Sequence, residues 1–188
     1  IKVYCGFDPT ADSLHLGNLL GIVVLSWFRR FGHQPVVLLG GATDRVGDPS
    51  GKSQERPLLA EDVLQGNSDS IRLLIQNIIG SGSDSTPVLV VNNYDWFKNM
   101  SFLDFLRDVG KYARVGSMLS KDSVRSRLDS ESGLSFTEFS YQLLQGYDFM
   151  HLFSHEGVSV QVGGSDQWGN ITAGTELIRR VAKKEGAQ

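Results

Sequence analysis

The sequence predicts an α/β protein in which helices cover both faces of a parallel sheet. Four short apolar segments alternate along the chain with segments of helical periodicity. Each apolar segment is followed by Gly, Asp or Asn, which commonly terminate strands. The 188 residues include 21 glycines, about 11% of the chain, whereas glycine makes up roughly 7% of an average protein. Many of these glycines follow the strand segments, where ligands bind in sheets of this kind.

The composition excludes several classes of protein. With 40% hydrophobic and 21% charged residues, the chain is neither a disordered tail nor a fibre or a coiled coil. Its apolar runs stay below the roughly 18 residues of a membrane span, so we expect no membrane partner. The single Cys5 excludes a disulfide framework and a thiolate zinc cluster, and we expect no metal site. The net charge of −3 gives no general nucleic-acid signal.

The first half of the chain is predicted to contain a strand over 2–7, a helix that begins near Asp12 or Ser13, and a strand over 36–39. Either residue can cap the helix, whose apolar residues recur at helical spacing: Leu16, Leu19, Leu20, Val23, Trp27 and Phe31. The stretch 42–57 has no period and is rich in Gly, Asp, Ser, Lys and Arg. It is predicted to be a long exposed loop, and such loops are usually functional or disordered.

The second half alternates in the same way. After a helix over 58–79 and a linker over 80–83, strands are predicted over 87–92 and 158–162. Further helical segments are predicted over 102–108, 112–119, 136–153 and 170–184.

Two polar segments follow the first two strands. His15 and Asn18 lie in the first turn of the first helix, where the helix dipole favours an anion, and Gly17 permits a flat group to approach the backbone. The alternative is that His15 is a helix cap or a surface residue. The segment 47–53 lacks the spacing of a phosphate-binding P-loop. Its Lys52, and Arg56 nearby, are candidates for phosphate contact; the alternative is a solvated basic loop.

One helix carries a polar stripe. Tyr141, Gln145 and Asp148 are spaced by four and three residues, which places them on one side of the helix. The stripe would suit a small polar ligand, and the alternative is the solvent face of an amphipathic helix.

After the fourth strand, Gly164 allows close backbone approach and Asp166 is placed to accept hydrogen bonds from ribose hydroxyls.

These motifs together resemble the bacterial and organellar type of tyrosyl-tRNA synthetase, a class I aminoacyl-tRNA synthetase. His15-Leu16-Gly17-Asn18 resembles the class I HIGH signature, and the segment 163–170, Gly-Gly-Ser-Asp-Gln-Trp-Gly-Asn, is the most specific match. The other matching segments are 4–10, 40–43, 47–52, 92–96, 135–141 and 170–174. The resemblance therefore covers nearly the whole chain.

The resemblance implies a Rossmann-like nucleotide-binding catalytic domain over 1–188, incomplete at both ends. A helical insertion at roughly 97–157 would separate the two halves of the sheet. The second signature loop of the family, KMSKS, and the anticodon-recognition region would lie outside these residues. We therefore expect the fragment to bind tyrosine without full activation or tRNA charging. Asn18 departs from the family's second histidine, but its amide can still donate to a phosphate oxygen.

The resemblance also implies a role for each candidate residue. Tyr4 and Asp148 would bind the substrate phenol, and Asp48, Tyr141 and Gln145 would hold its ammonium group. The residues implied to contact ATP are Cys5, Gly6, Asp8, Thr10, His15, Gly17, Asn18, Gly164 and Asp166. Those implied to act on the reacting groups are His15, Asn18, Lys52, Arg56 and Gln167. For Cys5 the alternative is a small buried thiol.

The implied reaction is ATP-dependent activation of L-tyrosine to tyrosyl-adenylate, followed by transfer to tRNA(Tyr). ATP is a substrate and carries Mg²⁺ with it. One alternative is a tryptophanyl-tRNA synthetase, which Tyr4, Gln145 and Asp148 argue against; another is a non-catalytic synthetase-like binding module. The branch implies the interior of an organelle, a mitochondrial matrix or chloroplast stroma, with the bacterial cytoplasm as the alternative.

The sequence gives weaker indications of macromolecular partners. Phe136 lies where this family has a dimer contact, so we expect a homodimer; the alternative is that Phe136 belongs to the core. A modest basic stretch is a candidate contact for the tRNA acceptor stem: Lys111, Arg114, Lys121, Arg125 and Arg127.

Overall fold

The computed structural model describes residues 1–50, 59–80, 86–131 and 133–185, with only the backbone for 183–185. The chain divides into two compact units. Within the described residues, the first unit comprises Ile1–Arg45, 59–80, 86–95 and Gly157–Gly163. The second unit comprises 46–50, Trp96–Glu156 and 164–185.

The first unit contains a parallel sheet. Among the described residues its strands are β1 (Lys2–Phe7), β2 (Gln34–Leu39), β3 (Leu89–Asn92) and β4 (Val158–Val162), in the order β3-β2-β1-β4. All neighbouring strands pair in parallel, so their carboxyl ends lie at one edge of the sheet. This confirms the predicted α/β class. The bounds of β1 and β4 agree with the prediction, whereas β2 begins two residues earlier and β3 two residues later.

Two helices complete the core of the first unit. They are α1 (Leu16–Arg30) and α2 (Glu61–Gly80). The buried cluster that they form with the strands consists of Val3, Cys5, Phe7, Ile22, Leu25, Val37, Leu39, Ile71, Ile75 and Ile79. These side chains are aliphatic or aromatic apart from one thiol, and their removal from water stabilises the fold by roughly 25 cal/mol for each Å² of apolar surface.

The residues that α1 buries are not the apolar residues from which the helix was predicted. Ile22 and Leu25 are fully buried, whereas Leu16 is 81% exposed and Phe31 is 73% exposed. The others of that set are also exposed: Leu19, Leu20, Val23 and Trp27. Apolar residues occur on more than one side of this helix, so periodicity could not decide which side meets the sheet. The helix also begins later than predicted, because its N-cap is His15.

The second unit is mainly helical. Its helices are α4 (Phe102–Asp108), α5 (Val115–Leu119), α6 (Asp122–Leu128), α7 (Phe136–His151) and α8 (Trp168–Glu185), and α3 (Tyr94–Phe97) is a single turn that precedes them. A π-helical turn, Leu152–Glu156, continues α7. The sequence did not predict α3, because four residues are too few for a periodic signal. It did not predict α6 either, because only Val124 and Leu128 of its seven residues are apolar. None of the described helices combines the length and the apolar character needed to cross a membrane.

The predicted exposed loop at 42–57 is largely buried over its described part. Thr43, Asp48 and Ser50 are 2%, 7% and 8% exposed, and Thr43–Arg45 forms a 3₁₀ turn. The prediction was wrong because polar side chains can be buried when neighbouring groups satisfy their hydrogen bonds. Residues 51–57 lie outside the described residues, as do 81–83 of the predicted linker.

Candidate functional site

A hydrogen-bonded network in the first unit joins the carboxyl ends of three strands. The Thr43 hydroxyl, just after β2, donates to Asp8 Oδ1 at 2.8 Å, just after β1. Asn93, just after β3, donates from Nδ2 to Thr43 Oγ1 at 3.1 Å and accepts from the Ala42 N–H at 2.6 Å. Asn93 is fully buried. The network therefore fixes Asp8 at the edge where parallel sheets bind ligands.

Gly40 is required for this network to form. A Cβ at this position would overlap Asp8 Oδ1 and Thr43 Oγ1. The Gly40 N–H also donates to the Phe7 carbonyl at 2.9 Å, which ties the end of β2 to the end of β1. The observed positions of the Asp8 and Thr43 side chains therefore depend on the absence of a side chain at Gly40.

His15 is the N-cap of α1. Its Nδ1 accepts from the Gly17 N–H at 3.1 Å and from the Asn18 N–H at 3.3 Å. In return, Asn18 Oδ1 accepts from the His15 N–H at 3.2 Å, which completes a capping box. Because Nδ1 accepts, the neutral ring carries its hydrogen on Nε2. His15 is therefore a helix cap, which was the alternative that the sequence left open. It is also exposed at the helix N-terminus.

The remaining first-unit candidates lie along β1 and just after it. Tyr4 is 1% exposed and Cys5 is 7% exposed. Burial raises the pKa of the Cys5 thiol to about 12, so the thiol stays neutral, as a small buried side chain in the core does. Gly6 is exposed, and a Cβ there would have no neighbour within 4 Å. Thr10 is exposed as well.

In the second unit, a buried carboxylate gathers polar side chains. Asp48 accepts from the Ser50 N–H at 2.9 Å, from Gln167 Nε2 at 2.8 Å and from Asn170 Nδ2 at 3.4 Å. Gln167 Nε2 also donates to Asp166 Oδ2 at 2.9 Å. Charge-assisted hydrogen bonds of this kind are stronger than neutral ones. Residues that are far apart in the sequence are therefore fixed around one negative charge.

The polar stripe of α7 is mostly buried. Tyr141 and Asp148 are 4% and 1% exposed, and Gln145 is half-buried on the same side. Asp148 Oδ1 accepts from the Trp96 indole Nε1 at 2.9 Å. This arrangement excludes the alternative that the stripe is a solvent face, because such a face would be exposed along its length.

The N-terminus of α7 is fixed by a capping box and a buried ion pair. The Ser135 side chain accepts from the Glu138 N–H at 3.2 Å, and Glu138 reaches back to the Ser135 N–H. Arg127 donates to both carboxylate oxygens of Glu138, at 2.6 and 2.9 Å, and both side chains are 4% exposed. Arg127 is therefore committed to Glu138 and is removed from the predicted basic stretch.

A glycine contact brings α7 and α8 together. A Cβ at Gly146 would lie 3.4 Å from the backbone of Ala173 and Gly174. Near the start of α8, Gln167 forms part of the 3₁₀ turn Ser165–Gln167. A Cβ at Gly164, which precedes this turn, would overlap Asp166 Oδ1. A Cβ at Gly174 on α8 would lie only 3.0 Å from Cβ of Phe149 on α7, so the close approach of these two helices depends on the glycine at this position.

Several functional candidates were missed by sequence reasoning or lie beyond the described residues. Lys52 and Arg56 lie outside the described residues. Four further residues were noticed only as members of matching segments and were given no role of their own: Thr43, Asn93, Trp96 and Asn170. Position in the chain could have identified Thr43 and Asn93, since they come soon after the ends of β2 and β3, where parallel sheets bind ligands.

Comparison with known proteins gives consistent results. The sequence model of the family described as tRNA synthetases class I (W and Y) matches residues 1–187. The chain is 63% identical, over 188 residues, to the chloroplastic/mitochondrial tyrosine–tRNA ligase of Arabidopsis thaliana, covering 100% of this chain and 37% of the relative. It is 61% identical to the tyrosine–tRNA ligase of Protochlamydia amoebophila over 184 residues, covering 98% of this chain and 43% of the relative.

A solved structure agrees in fold. The C-terminally truncated mitochondrial tyrosyl-tRNA synthetase of Aspergillus nidulans superposes with a TM-score of 0.87 and 38% identity, covering 97% of this chain and 54% of that one. The chain spans about two fifths of the length of the curated relatives named above. The match over nearly every residue, together with the sheet and the motif positions, places the chain in the class I tRNA synthetase family of the tryptophan and tyrosine enzymes.

Proposed function

We propose that the chain supplies the tyrosine-binding and part of the ATP-binding machinery of a tyrosine–tRNA ligase. The full-length protein would convert L-tyrosine and ATP to tyrosyl-adenylate and pyrophosphate, and then transfer the tyrosyl group to tRNA(Tyr). The observation that carries the proposal is the buried polar stripe of α7, in which a carboxylate and a tyrosine are removed from water. Such groups are buried where their hydrogen bonds serve a ligand or the fold.

The polar groups of the second unit match the chemistry of tyrosine. Asp48 would be the charge partner of the substrate ammonium group, with Tyr141 and Gln145 as further contacts. Asp148 Oδ1 accepts from Trp96, and its carboxylate retains acceptor capacity for a phenol hydroxyl. Tyr4 is assigned to the phenol on the resemblance to the family.

Most of the groups proposed for ATP lie in the first unit. The capping box makes His15 Nε2 and the Asn18 amide nitrogen the donors of these two side chains, because His15 Nδ1 and Asn18 Oδ1 already accept hydrogen bonds. Both side chains lie at a helix N-terminus, which favours phosphate. The other residues assigned to ATP are Cys5, Gly6, Asp8, Thr10 and Gly17, together with Gly164 and Asp166 of the second unit. Lys52, Arg56 and Gln167 are assigned to the reacting groups.

The proposed chemistry needs no nucleophilic side chain. The carboxylate oxygen of tyrosine attacks the α-phosphorus of ATP, which enters with Mg²⁺, and the bond to pyrophosphate breaks. The 3′-terminal ribose of the tRNA then takes the tyrosyl group, and AMP leaves. The protein would act by aligning the reactants and by stabilising charge that develops on the phosphates.

Replacing His15 with alanine is expected to slow adenylate formation in the full-length protein by about a hundred- to thousandfold, or ~3–4 kcal/mol, because a phosphate donor is lost. The affinity for tyrosine should stay unchanged. Stopped-flow measurement of adenylate formation and calorimetric titration with tyrosine check this. His15→Ser is the matched variant, since serine caps a helix well but lacks Nε2. An unchanged rate in both variants would remove His15 from the reaction.

The proposed substrate is tested by ATP–pyrophosphate exchange with tyrosine, tryptophan and phenylalanine in the full-length protein. We expect exchange with tyrosine alone. Exchange with tryptophan would favour a tryptophanyl enzyme, and no exchange with any of the three would favour a non-catalytic module. The names of the relatives support tyrosine.

We further propose that the protein is a homodimer with Phe136 in the contact. Phe136 is 68% exposed, so the alternative that it belongs to the core does not hold. Phe136→Glu is expected to shift the sedimentation coefficient from that of a dimer to that of a monomer, because a charge would have to be buried in the contact. Phe136→Leu should remain dimeric. Equal sedimentation of the Glu variant and the parent would place Phe136 outside the contact.

The proposed location is the interior of an organelle, either a mitochondrial matrix or a chloroplast stroma. A relative with 63% identity carries that designation, whereas the relative with 61% identity comes from a bacterium. Cell fractionation of the full-length protein distinguishes an organelle from the alternative, a bacterial cytoplasm.

A further inference from the structure

An aromatic column in the second unit ends at the proposed phenol-binding carboxylate. The rings of Trp96 and His151 stack with centroids 4.3 Å apart and planes at 20°. The rings of His151 and His155 stack in the same way, at 4.2 Å and 20°. At the other end of the column, Trp96 Nε1 donates to Asp148 Oδ1 at 2.9 Å. A continuous series of contacts therefore runs from the two histidines through the indole of Trp96 to Asp148.

The backbone after α7 places the second histidine. The π-helical turn Leu152–Glu156 follows α7 directly, and π turns are uncommon and concentrate near functional sites. His155 Nδ1 lies 3.0 Å from the His151 carbonyl oxygen. A carbonyl can only accept, so Nδ1 of His155 carries hydrogen. This hydrogen bond fixes the His155 ring over His151.

Tyr147 supports the same column from the side. Its ring lies 6.0 Å from the His151 ring and is tilted by 45°. Burial raises the pKa of Tyr147, and the carboxylates of Asp108 and Asp148 raise it further. The hydroxyl therefore stays neutral at physiological pH, and the charged groups identified around this ring are carboxylates.

The column suits a neutral His151. The Nδ1 atom of His151 is buried and, within the described part of the chain, has no hydrogen-bond partner. The neutral ring with its hydrogen on Nε2 leaves only a lone pair there, whereas a protonated ring would leave a buried N–H without an acceptor. Burial lowers the pKa of His151, the neighbouring His155 lowers it further, and Glu156 opposes both.

The direction of the pH effect follows from these contacts. Because the folded-state pKa of His151 lies below the ordinary value of 6.5, the stabilisation by the neutral column is complete above about pH 6.5. It is lost as the pH falls from that value through the lower folded-state pKa. Protonation of His151 would place a hydrogen on the buried Nδ1, which has no acceptor there among the described residues, so the ring would have to leave its place against the indole to satisfy that N–H.

We propose that His151 is a positioning residue for tyrosine binding: its neutral ring, held between Trp96 and His155, orients the indole that fixes Asp148, so that affinity for tyrosine depends on the protonation of His151. This inference rests on the proposed function, in which Asp148 receives the phenol. The residue acts through Trp96 and has no contact with substrate in the proposal. Its effect is a pH-dependent change in affinity for tyrosine.

The test is a calorimetric titration of the full-length protein with tyrosine between about pH 7.5 and about pH 5.5. We expect the dissociation constant of the parent to rise roughly two- to tenfold over this range, the scale of one lost aromatic contact. His151→Phe keeps a stacked ring without a titrating group, and its dissociation constant should change much less with pH. His33→Phe is the matched control, because His33 contacts Phe28 in the first unit, with centroids 5.8 Å apart. This variant should keep the pH dependence of the parent.

A second measurement does not depend on a variant that folds. The NMR resonance of the Trp96 indole N–H is expected to shift as the pH falls below about 6.5, with the same midpoint as the loss of affinity. A resonance that does not respond to pH would overturn the inference, and so would a His151→Phe variant with the pH profile of the parent. In both cases a parent that binds tyrosine leaves the proposed function intact. A parent that does not bind tyrosine at about pH 7.5 would overturn the proposed function and this inference together.

Discussion

Asp148→Ala is expected to weaken the binding of tyrosine by about ten- to hundredfold, because a hydrogen bond to a charged acceptor is lost. The binding of phenylalanine should change by less than about threefold, since it has no hydroxyl to pair with the carboxylate. A site that hydrogen-bonds a substrate hydroxyl rejects an analogue without that hydroxyl, because the analogue cannot make the hydrogen bond, and we expect the parent to discriminate in this way. Tyrosyl-tRNA synthetases are themselves the standard example of this effect, with about 10⁵-fold rejection.

Calorimetric titration of the full-length protein with both amino acids measures the effect of Asp148→Ala. The matched control is Asp129→Ala, which removes an exposed carboxylate from the same unit and should bind both amino acids as the parent does. The variant also leaves Trp96 Nε1 without the acceptor that it has in the parent, so circular dichroism is needed to verify that α7 remains folded. Equal weakening of tyrosine and phenylalanine would place Asp148 away from the phenol.

Arg127→Met is expected to lower the free energy of unfolding by about 3–5 kcal/mol, because Glu138 would remain as an unpaired buried charge. Glu138 pairs with Arg127 through two hydrogen bonds and also forms the capping box that starts α7. The loss would therefore act at the end of the helix that carries Tyr141, Gln145 and Asp148.

Urea denaturation, followed by circular dichroism, measures the stability of the Arg127 variant. Arg125→Met is the matched control, since Arg125 is exposed on the same helix and should change the stability by less than about 1 kcal/mol. The double variant Arg127→Met, Glu138→Gln should recover part of the loss, because it removes the unpaired charge. A similar stability for the Arg127 and Arg125 variants would show that the ion pair contributes little to the fold.

The strongest local signals in the sequence were confirmed by the structure. The strand at 158–162 was predicted as a short apolar segment followed by Gly163, and its bounds agree with β4. The helix at 102–108 agrees with α4. Both are short segments with a turn or cap residue at one end at least, so neighbouring residues decide where they begin and end.

Predictions failed where burial depends on contacts with distant residues. The stretch 42–50 looked exposed by composition, but Thr43 is buried because Asp8 and Asn93 supply its hydrogen bonds. The exposed apolar residues of α1 show the reverse error. Composition measures what a side chain prefers, whereas burial depends on which partners the fold brings to it.

The sequence by itself determined the α/β class, the order of the strands and helices along the chain, and the motifs that indicate a class I synthetase. These properties depend on residues close together in the chain, through periodicity and spacing. Only the tertiary structure decided that Asp48 meets Gln167 and Asn170, that Trp96 donates to Asp148, and that His151 stacks against Trp96. The partners in these contacts are dozens of residues apart, and their approach depends on packing between elements that no local pattern encodes.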